Sequence, residues 1–256
     1  MRDVIIRMEN VGVEYATAGG STRRVLHGIN LEIERGEFVS IVGQTGCGKS
    51  TLLRLVLGEQ KPTRGRVLVN GIERSQPDRF CGYVPQKYSL FCDKTVLDNI
   101  TFGPDVAEFG AFPLIHPRRR KRLREFRSDA LRFLKRIGLD EEDAYKYPHQ
   151  LSGGMQQRVA IAQALIMQPP ILLMDEAFSA LDPGTRAEMQ QLIRDLWRQT
   201  RTTILFVTHN TREALCLGTR VITLGGPAVH DVAVPHLDFD SDTSEIDAYV
   251  RELEYR

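Results

Sequence analysis

A chain of 256 residues, 42% of them hydrophobic and 26% charged, has room for one large α/β domain with a full core or for a domain carrying an inserted lobe. Its formal net charge of +1 gives no whole-protein attraction for polyanions, so no nucleic-acid partner is expected. No apolar run approaches the roughly 18 residues that cross a bilayer, and the opening Met1-Arg2-Asp3-Val4-Ile5-Ile6 lacks a signal-peptide pattern. A cytoplasmic protein is expected. Cys47, Cys81, Cys92 and Cys216 form no CxxC or Cys/His cluster, which points to free thiols rather than a disulfide framework or a zinc site.

In chain order, Val4, Ile6 and Met8 alternate along the chain, as do Val11, Val13 and Tyr15, the period of half-buried antiparallel strands. Thr17 to Thr22 reads as a loop, Leu31 to Glu34 resumes the alternation, and Gly65 to Gly71 is a short strand ending in an Asn-Gly turn. Three runs differ: Phe38 to Val42, Ile171 to Met174 and Thr203 to Val207 are almost wholly apolar. Such runs fit strands buried on both faces of a parallel sheet. A glycine-rich turn and a helical pattern from Thr51 to Leu57 follow the first, acids follow the second and Thr208-His209 follows the third. Ligands in open α/β sheets bind at the carboxyl ends of strands, so the three ends point to one site. Residues 92–150 lack buried-strand signals; Ser128 to Ile137 has helical apolar spacing stopped by Gly138. This stretch reads as an inserted helical lobe.

Gly43-Gln44-Thr45-Gly46-Cys47-Gly48-Lys49-Ser50 fits the phosphate-loop pattern GxxxxGK[ST]. Glycines let backbone N–H groups turn inward around phosphate oxygens, and the helix opening near Thr51 directs its positive end at the same anion. Lys49 is placed to meet the β- and γ-phosphates of a nucleotide, and the Ser50 hydroxyl to ligate Mg²⁺; the loop alone says only that the chain is an NTPase. Asp175 ends the second run, where a carboxylate can hold Mg²⁺; Glu176 follows as the natural general base for the attacking water. An acidic helix cap is the other reading of this pair. His209 ends the third run, either as a sensor of the γ-phosphate or as a capping or core histidine. Cys47 sits where only a small side chain is needed, with no chemical role expected.

Leu151-Ser152-Gly153-Gly154-Met155-Gln156-Gln157-Arg158, 20 residues before Ile171, closely resembles the signature sequence of ABC ATPases. Ser179-Ala180-Leu181-Asp182 resembles the D-loop of that family. Gln86, in Tyr83-Val84-Pro85-Gln86, resembles the Q-loop glutamine, and Tyr15 the aromatic residue that stacks on adenine, although core packing also explains Tyr15. The resemblance runs from about residue 5 to about residue 225. It implies an α/β P-loop NTPase core with a mainly parallel sheet, an N-terminal antiparallel β layer and an inserted helical subdomain. The expected bounds are 1–91 and 151–225 for the core, 92–150 for the insert and 226–256 for a short tail. It also implies catalytic work by Glu176, His209, Gln86 and Lys49, and a metal shell of Ser50, Gln86 and Asp175. Nucleotide contacts would come from Tyr15, Gly43 to Thr51, Ser152, Gly153, Gly154 and Asp182.

Ser152-Gly153-Gly154 stands just before a helical pattern, so it is itself an anion site at a helix start. The family resemblance explains why one chain has two: a homodimer pairs head to tail, and each signature closes the other subunit's ATP. Met155, where glutamine is more familiar, also occurs in importer-type members. The acids and signature together resemble importers for nitrate, sulfonate, taurine or quaternary amines. Such ATPases bind two membrane permease subunits at the cytoplasmic face of the bacterial inner membrane, with a separate solute-binding protein. An ABC ATPase that regulates a membrane complex without moving a solute is the rival. Arg118 to Arg127 holds seven basic residues in ten. It reads either as a solvated helix or as a contact with anionic lipid or an acidic partner.

Overall fold

A computed structural model describes residues 3–16, 20–87, 89–110, 118–225, 228–233 and 250; residues 226–249 are not described beyond the backbone of 228–233. Most of the expected tail, residues 111–117 of the expected helical insert and part of the loop expected at Thr17 to Thr22 therefore lie outside the described residues. Two compact units divide the chain. The first comprises Met1–Tyr83, Pro170–Glu176 and Arg194–Arg256; the second comprises Val84–Pro169 and Ala177–Ile193.

The first unit holds two sheets. In the antiparallel one, β1 (Val4–Ala16) lies between β2 (Thr22–Glu34) and β4 (Arg64–Val69), with β5 (Ile72–Glu73) at the edge. The two alternating stretches expected as separate strands are one strand of 13 residues. Its pairing is interrupted between Met8 and Val11, where Asn10 has φ 49°. That bulge lets both apolar sets, Ile6 and Met8 and then Val11 and Val13, reach the same core. Asn70 and Gly71 both have positive φ and join the paired residues Val69 and Ile72, the two-residue hairpin that the Asn-Gly pair predicts. Gly65 (φ 74°) is obligatory: a Cβ there would fall 2.3 Å from the carbonyl oxygens of both Glu9 and Asn10.

The second sheet runs β10-β9-β3-β8-β7-β6, from β10 (Ala228–Ala233) through β9 (Arg220–Gly225), β3 (Phe38–Gly43), β8 (Thr203–Thr208) and β7 (Ile171–Asp175) to β6 (Cys81–Val84). β3 is parallel to β8 and β9, and β7 is parallel to β8, while β10 is antiparallel to β9. The three apolar runs of the sequence are β3, β7 and β8. Every residue of β7 and β8 is buried, as is β3 up to Gly43. Helix α1 (Lys49–Leu57) lays Leu52, Leu53, Leu55 and Val56 into the core shared with these strands.

The second unit is helical: α2 (Val96–Phe109), α3 (Arg119–Arg136), α4 (Gly153–Leu165) and the first part of α5 (Pro183–Thr200). Leu97 and Ile100 of α2, Ala130 and Leu134 of α3, and Val159 and Ala162 of α4 share a core. The basic segment forms the first half of α3 and has a use neither sequence reading foresaw. Arg119 holds Asp105 with two hydrogen bonds (3.0 and 2.7 Å), Arg122 holds Glu108 and Arg127 reaches Asp98. All three acids lie on α2. The Arg122 and Arg127 pairs are exposed and that of Arg119 is partly buried; exposed pairs contribute about 0–1 kcal/mol each, so these contacts fix how α3 lies on α2 more than they stabilise it. In the first unit α6 (Thr211–Leu217) leads from β8 to β9.

Gly65→Ala places a methyl against two carbonyls in a backbone conformation that side chains resist. The folded state should lose about 2 kcal/mol or more, a fall in thermal midpoint of about 4 °C or more at this chain length, read by scanning calorimetry.

Candidate functional site

The phosphate loop leaves β3 at Gly43 and enters α1 at Lys49. Its shape depends on three glycines. A Cβ on Gly43 would lie 2.4 Å from the Leu224 carbonyl oxygen, because β3 and β9 pair at that residue. Gly46 and Gly48 have φ of 82° and 107°. Gly48 precedes α1 with no capping side chain, so the first N–H groups of the helix are not taken by a cap and carry its positive end. Gln44 and Thr45 are exposed at the loop crest, while Cys47 packs partly against the core.

Lys49 is buried, and its Nζ donates to the carbonyls of Gly43 (2.7 Å) and Gln44 (3.1 Å). It also lies 4.0 Å from Glu176 Oε1. Ser50 Oγ donates to Asp175 Oδ1 at 3.0 Å, and Tyr83 OH donates to Asp175 Oδ2 at 3.4 Å. Glu176 stands beyond the end of β7 with φ 45°, a left-handed conformation uncommon for a side chain of this type. Its N–H donates to the Val207 carbonyl at 2.9 Å. Its other carboxylate oxygen lies 3.4 Å from His209 Nδ1, whose ring is 57% exposed. Lys49, Ser50, Asp175, Glu176 and His209 therefore meet at one rim, as their strand-end positions predict. Tyr83 is a member that sequence spacing did not single out; its only signal was its place in the short run before Gln86.

Burial lifts the Asp175 carboxyl above its ordinary value, and the charge of Glu176 adds to this, while the hydroxyls of Ser50 and Tyr83 act the other way. Burial, with the Asp175 charge behind it, pushes the Tyr83 phenol up to about 12. A buried carboxylate that strains against its own ionisation is a place where a cation binds favourably. The donors fit Mg²⁺: a serine hydroxyl and a carboxylate 3.0 Å apart are hard oxygen ligands. Among the described residues no group of three metal-ligating acids, histidines or cysteines exists, so further ligands would be water and phosphate oxygens, the usual magnesium arrangement.

Tyr15 is 40% exposed, which removes core packing as its explanation, and its OH donates to Gln60 Oε1 at 2.8 Å. Gln86, Ser152, Gly153, Gly154 and Asp182 belong to the second unit. There Ser152 caps α4, its Oγ accepting from the Met155 N–H at 3.3 Å, and Ser152 and Gly153 are exposed. Gly154 is buried against α5: a Cβ would fall 2.3 Å from Thr185 Cγ2. Asp182 caps α5 through the Thr185 N–H at 3.1 Å, and hydrogen bonds from Thr185 hold its carboxyl below the ordinary range. Arg186 turns back to the carbonyls of Phe178 and Leu181 (3.2 and 2.9 Å), and Arg158 joins the Ile137 carbonyl (2.6 Å) to Glu188 (2.7 Å).

A family profile described as ABC transporter matches residues 26–179. The chain belongs to the ABC transporter family. It is 39% identical over 235 residues to the taurine import ATP-binding protein TauB of Rhizobium johnstonii, covering 92% of this chain and 85% of that one. It is 38% identical over 222 residues to the sulfate/thiosulfate import ATP-binding protein CysA of Mesorhizobium japonicum, covering 86% of this chain and 62% of that longer one. Its structure is similar to a dimeric bacterial ABC transporter cassette (TM-score 0.76, 34% identity, 91% of this chain and all of that one). It is also similar to an ATP-binding cassette dimer in a post-hydrolysis state bound to ADP and phosphate (TM-score 0.73, 33% identity, 89% of this chain and 98% of that one). As an ABC cassette the chain binds ATP and ADP and is an ATPase. Among the described residues no helix is long and apolar enough to cross a membrane.

The raised pKa of Asp175 has a stability consequence. An acid whose folded pKa lies above its ordinary 3.8 supports the fold in its protonated form. That contribution is complete below 3.8 and is lost as pH rises through the raised value. Asp175→Asn, with nucleotide and metal removed by chelator, should therefore melt at a higher temperature than the wild type at pH 7.5. The gap should narrow as pH falls through the raised pKa toward 3.8, and thermal melts across that range would show it.

Proposed function

We propose that the chain is the Mg²⁺-dependent ATPase of an ABC importer, acting as a head-to-tail homodimer at the cytoplasmic face of the inner membrane. Two permease subunits and an extracytoplasmic solute-binding protein complete the assembly, and the solute class is a small oxyanion or sulfonate-bearing ion: nitrate, sulfate, a sulfonate or the zwitterion taurine. The observation that carries the reading is the placement of Glu176, with its carboxylate between Lys49 Nζ at 4.0 Å and His209 Nδ1 at 3.4 Å. A base for water attack needs a fixed carboxylate beside the phosphate-binding lysine. The import role follows the relatives named for taurine and sulfate/thiosulfate import.

In this mechanism the loop N–H groups and Lys49 hold the β- and γ-phosphates, and Tyr15 stacks on the adenine. Ser50 and Asp175 hold Mg²⁺, which when bound neutralises phosphate charge, and Gln86 joins that shell and links it to the permease. Glu176 takes a proton from the attacking water, and His209 orients the carboxylate and meets the γ-phosphate. Ser152, Gly153 and Gly154 of one subunit face the ATP held by the other, with Asp182 beside them. ATP then joins the two copies, and hydrolysis releases them.

Glu176→Gln keeps the shape and removes the base. Turnover should fall about 100-fold or more while ATP binding persists and an ATP-dependent dimer accumulates on size-exclusion chromatography; wild-type turnover would remove Glu176 as the base. Lys49→Ala should lose ATP affinity and activity together, measured by nucleotide titration and phosphate release.

A further inference from the structure

We propose that Arg23 is a phosphate-binding residue of the nucleotide site, reaching the polyphosphate chain from β2. The inference rests on the nucleotide-site reading above and adds a residue that neither the phosphate-loop pattern nor the signature contains. Arg23 lies directly opposite Tyr15 in the β1–β2 pairing. Directly opposed residues of an antiparallel pair project from the same face, with Cβ atoms about 5 Å apart. The guanidinium and the phenol ring therefore share one surface.

That surface is turned to the phosphate loop. Arg23 Nη2 lies 3.8 Å from where a Cβ on Gly46 would stand. Two and three residues further along β2, Val25 and Leu26 come against the loop's last glycine: a Cβ on Gly48 would meet Leu26 Cδ2 at 2.8 Å and Val25 Cγ1 at 3.0 Å. β2 thus runs beside the loop, and its exposed arginine ends at the loop's middle glycine.

The neighbouring cations are engaged. Arg24 is bound to Glu14 at 2.8 Å, and Lys49 is held by the carbonyls of Gly43 and Gln44. The Arg23 side chain has no hydrogen bond or ion pair among the described residues and is exposed. A guanidinium offers a planar fork of donors that matches phosphate oxygens, and a charge-assisted bond of this kind is about twice as strong as a neutral one. Beside a loop that presents N–H groups to phosphate, the ligand chemistry that suits Arg23 is the polyphosphate of ATP or ADP. Tyr15, on the same surface, takes the base. The strand pair then reads both halves of the nucleotide with adjacent residues.

The test uses the full chain with Arg23→Ala, Arg23→Lys and Arg23→Glu, titrated with ATP and Mg²⁺ by calorimetry at several salt concentrations. Arg23→Ala should weaken ATP binding about tenfold, Arg23→Lys should recover part of the loss and Arg23→Glu should exceed it. The salt dependence of ATP affinity should be shallower in Arg23→Ala than in the wild type, because a charge contact has gone. The thermal midpoint without nucleotide should not move, since the side chain is exposed. Unchanged ATP affinity in Arg23→Ala would show a merely solvated arginine. A loss with an unchanged salt slope would mean that Arg23 acts only by packing on Tyr15. Lys49→Ala separates the two levels of inference. If it binds ATP like the wild type, the nucleotide-site reading itself fails. A crippled Lys49→Ala beside a neutral Arg23→Ala defeats the Arg23 assignment alone.

Discussion

The register of three buried parallel strands is the constraint on which the site depends. Val42 of β3 is level with Thr208 of β8, and Val207 of β8 is level with Asp175 of β7. The next residue along each strand is therefore Gly43, His209 and Glu176, and all three emerge at one rim. A slip of one residue would invert every side chain of the slipped strand. Burial on both faces opposes such a slip, because Phe38, Phe206, Ile41 and Leu173 fill fixed positions of the core. The chemistry is placed by packing that takes no part in it.

Electrostatics at that rim balance two consecutive acids against a small set of donors. Asp175 is received by two hydroxyls, from Ser50 and Tyr83, and Glu176 by a lysine and a histidine. The backbone turn at Glu176 keeps these roles apart. Its φ of 45° is unfavourable by about 1–2 kcal/mol for a side-chain residue, and the bond from its N–H to Val207 helps hold it there. An extended Glu176 would continue β7 and point its carboxylate away from His209. The strained turn is what brings Asp175 to the serine and Glu176 to the histidine from adjacent positions.

The sequence was legible where chemistry and burial coincide. A phosphate loop between a buried run and a helical pattern has few alternatives, and acids or a histidine directly after buried runs locate the rim. It was less legible where partners are distant or elements are short. β6 has four residues, one of them Gly82, too few to show a period. β9 begins with Arg220 and carries Thr223, which masks its burial. α2 carries Pro104 within it, and its face follows from contacts with α3 rather than from its own spacing. Tyr83 reaches Asp175 across 92 residues, and nothing local announces that bond. The basic half of α3 was visible as a charge run, but its partners on α2 were not. Asp98, Asp105 and Glu108 are spread over three turns and form no run of their own.

The second unit positions its signature residues by different means. No sheet rim carries its serine and glycines; helix ends do. Ser152 caps α4 and Asp182 caps α5, and the two ends meet where Gly154 lies against Thr185. A Cβ at that contact would collide with Thr185, so the second glycine of the signature is there for packing, whereas Gly153 is exposed. Two arginines then fix the pair of ends. Arg158 ties α4 to the last turn of α3 and to α5, and Arg186 binds the carbonyls of the loop that leads into α5. Helix ends have free donors but no register to hold them in place, so side chains that bind backbone carbonyls supply the rigidity that parallel strands supply in the first unit. The glycine pair is thus divided between surface and core, and a Cβ at the buried member would push α4 off α5.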